Sequence, residues 1–113
     1  MLPKLYRLTG QRNFRQIAER GRAVFLKELG IKWLENNLTN SRFGFVISTQ
    51  IDKRAVVRNK IKRRLREIIY QNLKKIKSGF DILVITRLEI KGLNFWQMKE
   101  KLELILKRAG LLI

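Results

Sequence analysis

Lys53 to Tyr70 reads K-R-A-V-V-R-N-K-I-K-R-R-L-R-E-I-I-Y, with basic and aliphatic residues interleaved. The period is helical. Val57, Ile61, Leu65, Ile68, Ile69 and Ile76 recur at spacings of mostly three and four, which predicts a helix from about Ala55 to Lys77 with one apolar stripe and Gly79 as its end. Between those anchors lie Arg58, Lys62 and Arg66 along one flank, Asn59 and Arg63 toward solvent, and Lys60 and Arg64 on the other flank.

Such a helix is costly on its own. Lys53 to Lys77 carries 11 basic residues of the chain's 26. Like charges four residues apart, as in Arg58 with Lys62 and Lys62 with Arg66, each destabilise an isolated helix by roughly 0.2 to 0.5 kcal/mol. Most of the cations also sit in the first half, where the helix dipole favours anions by about 0.3 to 1 kcal/mol each. Only Glu67 offers local relief in this reading. Phosphates supply the missing counter-charge more naturally than solvent does. Arg is suited to bidentate phosphate contact and to stacking on bases. Asn59, a poor helix former, is either an exposed amide or a donor to phosphate or a 2′-hydroxyl.

Outward from this helix the pattern becomes mixed. N-F-R-Q-I-A-E-R-G predicts a short helix from about Asn13 to Arg20, with Asn13 as N-cap, Gly21 as its stop, and Phe14, Ile17 and Ala18 facing a core on spacing alone. Alternation over Glu28 to Leu34 and over Arg42 to Ser48 predicts two strands, and the polar turn E-N-N-L-T-N-S between them predicts an antiparallel hairpin. Gly44 inside the second strand marks a bulge, a close backbone approach or a gap in packing. F-D-I-L-V-I-T, Phe80 to Thr86, is an inner strand. Asn94 and Gln97 form a capping box for a last helix running to Ala109, with Gly110 beyond it and Met98, Leu102, Ile105, Leu106 and Ala109 as its apolar face. The order α, β, β, α, β, α places helices on a small sheet, an α+β fold in one domain spanning residues 1–113.

The totals narrow the function. With 26 Lys and Arg against 9 Asp and Glu, the formal charge is +17 over 113 residues, which makes nucleic acid the expected partner. An anionic membrane surface is the other physical candidate, but no segment approaches the ~20 apolar residues of a membrane span. Cys and His are absent, which removes thiolate chemistry and the usual general base near neutral pH. The nine carboxylates do not cluster as a two-metal nuclease requires. M-L-P-K-L-Y-R-L lacks an apolar core of signal-peptide length, so a cytoplasmic protein is expected.

R-N-K-I-K-R-R-L-R-E, Arg58 to Glu67, resembles the signature of the bacterial ribonuclease P protein family, A-V-x-R-N-[RK]-[IL]-[KR]-R-x-x-R-E. Ala55, Val56, Arg58, Asn59, Lys60, Ile61, Lys62, Arg63, Arg66 and Glu67 fall in register. Arg7 and Leu8, the N-F-x-x-I-x-x-x-G stretch from Asn13 to Gly21, R-F-G-F-V-I-S, D-I-L-V-I-T-R and the closing K-L-E-L-I-L-K-R-A-G-L-L resemble further family blocks in the same order. The resemblance implies a left-handed βαβ crossover and a protein that does no chemistry itself. In the family a catalytic RNA subunit uses Mg²⁺, held mainly by RNA and substrate, to remove the 5′ leader of precursor tRNA. It implies phosphate contacts for Arg58, Lys62 and Arg66, assistance from Asn59, Lys60 and Arg63, and an extension of that surface through Lys53 and Arg54. It also moves Phe14, with Ile17 beside it, from the core to a cleft for the single-stranded leader. The implied partners are ribonuclease P RNA and precursor tRNA, with no membrane and no protein partner. Ala18 departs from a second aromatic common in the family's first helix, and Thr49 and Gln50 stand where Lys or Arg is frequent.

Overall fold

In the computed structural model, which describes residues 2–113, helix α1 (Gln11–Arg20) is followed by strands β1 (Arg22–Phe25), β2 (Leu29–Glu35) and β3 (Arg42–Val46). Helix α2 (Ala55–Asn72), strand β4 (Phe80–Thr86) and helix α3 (Phe95–Arg108) complete the chain, with short 3-10 turns at Lys4–Tyr6, Leu73–Lys75 and Leu88–Gly92. The sheet order is β1-β2-β4-β3. The α+β class is as expected, but the order of elements gains a strand and becomes α, β, β, β, α, β, α.

The predicted hairpin does not form. β4 inserts between β2 and β3, antiparallel to β2 (Ile31 opposite Val84, Trp33 opposite Ile82) and parallel to β3 (Phe43 opposite Ile82, Phe45 opposite Val84). The cause lies in β4 itself. Ile82, Leu83 and Val84 are consecutive and all buried, so both faces of this strand are covered, which suits an interior position in the sheet. Connecting the parallel pair then requires a crossover, and α2 supplies it. The register is pinned at one end by Arg42 of β3, whose Nε and Nη2 donate to Asp81 of β4 at 2.8 and 2.7 Å.

One face of the sheet carries Leu29, Ile31, Trp33, Phe43, Ile82 and Val84 against α2 and α3, which contribute Ile61, Leu65, Ile68 and Ile69, and Met98, Leu102, Ile105 and Leu106. The opposite face is covered only in part. There Leu8 and Ile17 bury Leu83, with Phe14, Leu34 and Ile85 at the margin. β1 escapes sequence detection because it is an edge strand: three of its four residues are exposed, and Val24 alone packs on the main core.

Helix boundaries follow local chemistry. α1 begins after Gly10, whose φ of 91° suits glycine, while Asn13 is not the cap: its Nδ2 donates to the Thr9 carbonyl at 2.8 Å. α2 stops at Asn72 rather than Lys77. The buried Asn72 amide donates to the Ile68 carbonyl at 2.8 Å and to Glu103 Oε2 at 2.9 Å, pinning α2 to α3 and competing with the helical ladder. α3 starts as expected, with the Asn94 side chain accepting from Gln97 N and Gln97 Oε1 accepting from Asn94 N, both at 2.9 Å.

The start of α2 is organised by Asp52. Its Oδ1 accepts from the Arg54 backbone N–H at 2.8 Å, its carboxylate takes the Arg54 guanidinium at 3.1 and 3.0 Å, and Lys91 Nζ lies 3.0 Å from Oδ2. The Arg54 side chain first, then the Arg54 backbone N–H and Lys91, hold this carboxyl far below the usual carboxylate range.

Two outcomes test this architecture. Asn94→Ala removes the cap and lowers stability by about 0.5 to 2 kcal/mol in urea unfolding. Asp52, with its folded pKa depressed, contributes stability that is complete above the unfolded carboxylate value of about 3.9 and declines as pH falls below it toward the folded value. In acid titrations of unfolding free energy, Asp52→Asn therefore gives a flatter curve below that point than the parent chain.

Candidate nucleic-acid interface

The apolar stripe turns α2 so that its cations face outward. Ile61, Leu65, Ile68 and Ile69 are buried and Val57 is half-buried, while Lys53, Arg54, Asn59, Lys60 and Arg63 are exposed. Arg58, Lys62 and Arg66 are half-buried, their stems lying against the protein. The two flanks differ in character. On one, Val56, Asn59, Lys62, Arg63 and Arg66 line a shallow depression of about 400 Å³. On the other, Lys60 and Arg64 rim a more apolar groove floored by Ile61, Ile90 and Met98, with Lys91 across it.

The expected contact residues are not equally available. The Arg54 guanidinium is engaged by Asp52. Arg58 Nη1 donates to the backbone carbonyls of Asp52 and Lys53 at 2.9 and 2.8 Å, so part of this side chain braces the loop before the helix. Lys62 and Arg66 make no ion pair among the described residues. Burial, then the charges of Arg66 and Arg7, push the Lys62 pKa down, and burial followed by Arg7 does the same to Arg66. Arg7, outside the helix, is thus part of the same electrostatic patch. Its place in the fold is set by its Nε, which donates to the Leu2 carbonyl at 2.9 Å, and by the adjacent Leu8 N–H, which donates to the Phe43 carbonyl at 2.8 Å.

Phe14 and Ile17 part company. Ile17 is 1% exposed and belongs to the small core beneath α1, so it supports the ring from below and presents no surface of its own. Phe14 is half-buried, and its ring lies over the backbone of Gly44: a Cβ placed there would stand 2.8 Å from Phe14 Cε1 and 3.1 Å from Leu83 Cδ1. Gly44 is therefore the site of a close approach, not a bulge; the pairing of β3 with β4 continues through it without interruption. Ala18 is exposed and does not join the core as its spacing predicted.

From Phe14 an apolar row continues over the uncovered sheet face. Val46, Ile85, Gly30 and Phe25 are successive cross-strand partners, and Phe25 and Val46 are 38% and 36% exposed. The Phe25 ring fills the space left by Gly30, and the Arg87 guanidinium lies 4.6 Å from its centroid. Sequence reasoning missed Arg7, Asp52, Phe25 and Arg87. Asp52, two residues before the helix N-cap, carried a local signal of a turn; the others are brought together only by the sheet.

These side chains are donors and platforms. The surface presents guanidinium, ammonium and amide donors together with the Phe14 and Phe25 rings, and Asp52 is held ionised between Arg54 and Lys91.

A family model described as Ribonuclease P matches residues 2–110. The ribonuclease P protein component of Syntrophomonas wolfei is 37% identical over 111 residues, covering 98% of this chain and 92% of that protein. Among solved structures, the RNase P protein of Staphylococcus aureus superposes with a TM-score of 0.89 at 30% identity, covering 96% of this chain and 98% of the other. That of Thermotoga maritima gives 0.84 at 35% identity, with 90% and 96% covered. In sequence and in fold alike, the chain belongs to the ribonuclease P protein family.

Proposed function

We propose that this chain serves as the protein subunit of ribonuclease P, binding the catalytic RNA through α2 and the 5′ leader of precursor tRNA over the open sheet face. The observation that carries this reading is the division of labour on α2. One stripe fixes the helix to the core, while Asn59, Lys60, Lys62, Arg63 and Arg66 stand outward in the family's register with no carboxylate partner among the described residues. A row of phosphates offsets their mutual repulsion, each contact releasing counterions. Lys53 extends the row, while Arg54 and Arg58 contribute through the groups not engaged at Asp52 and the loop.

Phe14 and the row beyond it are suited to unstacked nucleotides, a contact worth about 1 to 3 kcal/mol per base with little sequence preference. Chemistry falls to the RNA in this reading. Among the described residues no three Asp or Glu side chains stand together to hold a metal, and Mg²⁺ is assigned to RNA and substrate oxygens. No helix of the described residues is long and apolar enough to cross a membrane; tRNA maturation would place the work in the cytoplasm.

Reconstitution tests the proposal. Leader removal from precursor tRNA at low Mg²⁺ is measured with a bacterial ribonuclease P RNA alone, the protein alone and both together; acceleration only in the third case is expected. Cleavage by the protein alone, or no gain over RNA alone, would identify a nuclease or a general RNA-coating protein instead. Phe14→Ala is expected to weaken precursor tRNA by about 5- to 100-fold more than mature tRNA. Gly44→Ala, which displaces the ring, should shift the same ratio in the same direction.

A further inference from the structure

A second cationic place lies at the end of the sheet where β2 finishes and β4 begins. There a cavity of about 370 Å³ is bordered by Arg20 at the close of α1, Arg22 of β1, Trp33 and Glu35 of β2, and Lys77 and Phe80 at the entry to β4. No residue of α2 lines it.

Four of these side chains share one face of the sheet. Arg22 stands directly opposite Trp33, Glu35 follows Trp33 by two, and Phe80 is opposite Glu35, which sets all four on the side that carries α3. The backbone brings up the other two. α1 ends against β2 at Gly21, where a Cβ would stand 3.0 Å from the Trp33 carbonyl. Lys77 is fixed from both sides, its N–H donating to the Leu111 carbonyl at 2.8 Å and its own carbonyl accepting from Ser41 Oγ at 2.6 Å.

The indole of Trp33 is what a merely solvated crevice does not explain. Trp33 is 7% exposed, and its N–H reaches no acceptor among the described residues, yet that nitrogen is not sealed from solvent. A buried Trp N–H ordinarily has a hydrogen-bond partner. The cavity is the open space that Trp33 borders. Around it Arg20, Arg22 and Lys77 are exposed and form no ion pair among the described residues, and Glu35 on the rim forms none either.

We propose that this cavity binds one phosphorylated ribonucleotide. The phosphate accepts from the Trp33 indole N–H and is neutralised by Arg22, Arg20 and Lys77. Glu35 selects among anions: it repels a bare phosphate, and it accepts a hydrogen bond from a ligand that carries hydroxyls near its phosphate, as ribose does. Phe80 supplies an apolar wall. The volume falls in the range of small-molecule sites, about 300 to 1,000 Å³. The site stands apart from the cations of α2 and from the open sheet face, and it does not rest on the function proposed above.

The chain has two tryptophans, so ¹H–¹⁵N spectra of the full protein carry two indole signals, and Trp96→Phe identifies that of Trp33. Titration with uridine 5′-monophosphate, at an ionic strength held constant with sodium chloride, should move the Trp33 signal saturably. Arg22→Ala should lower the affinity by about tenfold, while Lys27→Ala, which removes an exposed charge from the turn between β1 and β2, should leave it unchanged. Inorganic phosphate and deoxyuridine monophosphate should each bind more weakly than the ribonucleotide, and Glu35→Ala should narrow the gap between the two nucleotides. An unmoved Trp33 signal, an Arg22→Ala titration equal to that of the parent, an equal loss in Lys27→Ala, or either comparison ligand bound as tightly as the ribonucleotide overturns the site. Where Arg22→Ala folds poorly, Lys77→Ala takes its place.

A 5′-phosphorylated trinucleotide separates the sources of the ligand. Half-saturation of the Trp33 signal at a lower concentration than with the mononucleotide assigns the site to an RNA strand, and an equal or higher concentration assigns it to a free nucleotide. The titration contains no ribonuclease P RNA, so its failure leaves the proposed function standing, and failed reconstitution leaves the site standing.

Discussion

The apolar character of β4 on both faces is the constraint from which the architecture follows. Ile82 and Val84 point to the main core and Leu83 to the smaller one, which suits the interior place the strand takes in the sheet. Its place is between β2 and β3, which it separates. Its direction makes the pair with β3 parallel, and a parallel pair obliges the chain to cross over. The helix that makes this crossing is the one carrying the dense basic sequence. The placement of the charged face is therefore tied to the placement of β4 in the sheet.

Electrostatics at the start of α2 work in the opposite direction from burial. The helix dipole and the crowding of cations both disfavour the segment, and one carboxylate, Asp52, offsets the first of these while bracing Arg54 and Lys91. The relief is local. Farther along, Lys62 and Arg66 keep their unfavourable surroundings, with Arg66 Nε left without an acceptor among the described residues. Stability is given up along the middle of α2 and restored where the helix must begin.

Much of this was legible in the sequence because it is periodic. The stripe of α2, the capping box of Asn94 and Gln97, and the inner strand at Phe80–Thr86 each repeat a local rule often enough to be read. The false hairpin came from a rule that is sound locally: two alternating runs separated by a polar turn. It failed because strand neighbours are chosen by burial of β4, which lies beyond a whole helix in the chain. β1 was invisible for the reverse reason, having one inward residue and hence no alternation. At the interface, the outward cations were legible and their commitments were not. Arg58 and Arg54 look like free charges in the sequence, and only the loop's carbonyls and Asp52 reveal how much of each is already engaged. Arg7 joined the patch through β3, a contact across the length of the fold that no spacing encodes.

The contact of Phe14 with Gly44 has an implication for how this surface can vary over generations. A ring from α1 rests on bare backbone of β3, so the two positions share one volume. Any side chain acquired at 44 must displace the aromatic at 14, and loss of the aromatic leaves only the Leu83 side chain to crowd position 44. Among descendants of this sequence the two codons should drift as a pair, although 30 residues of chain and a whole sheet's connectivity separate them.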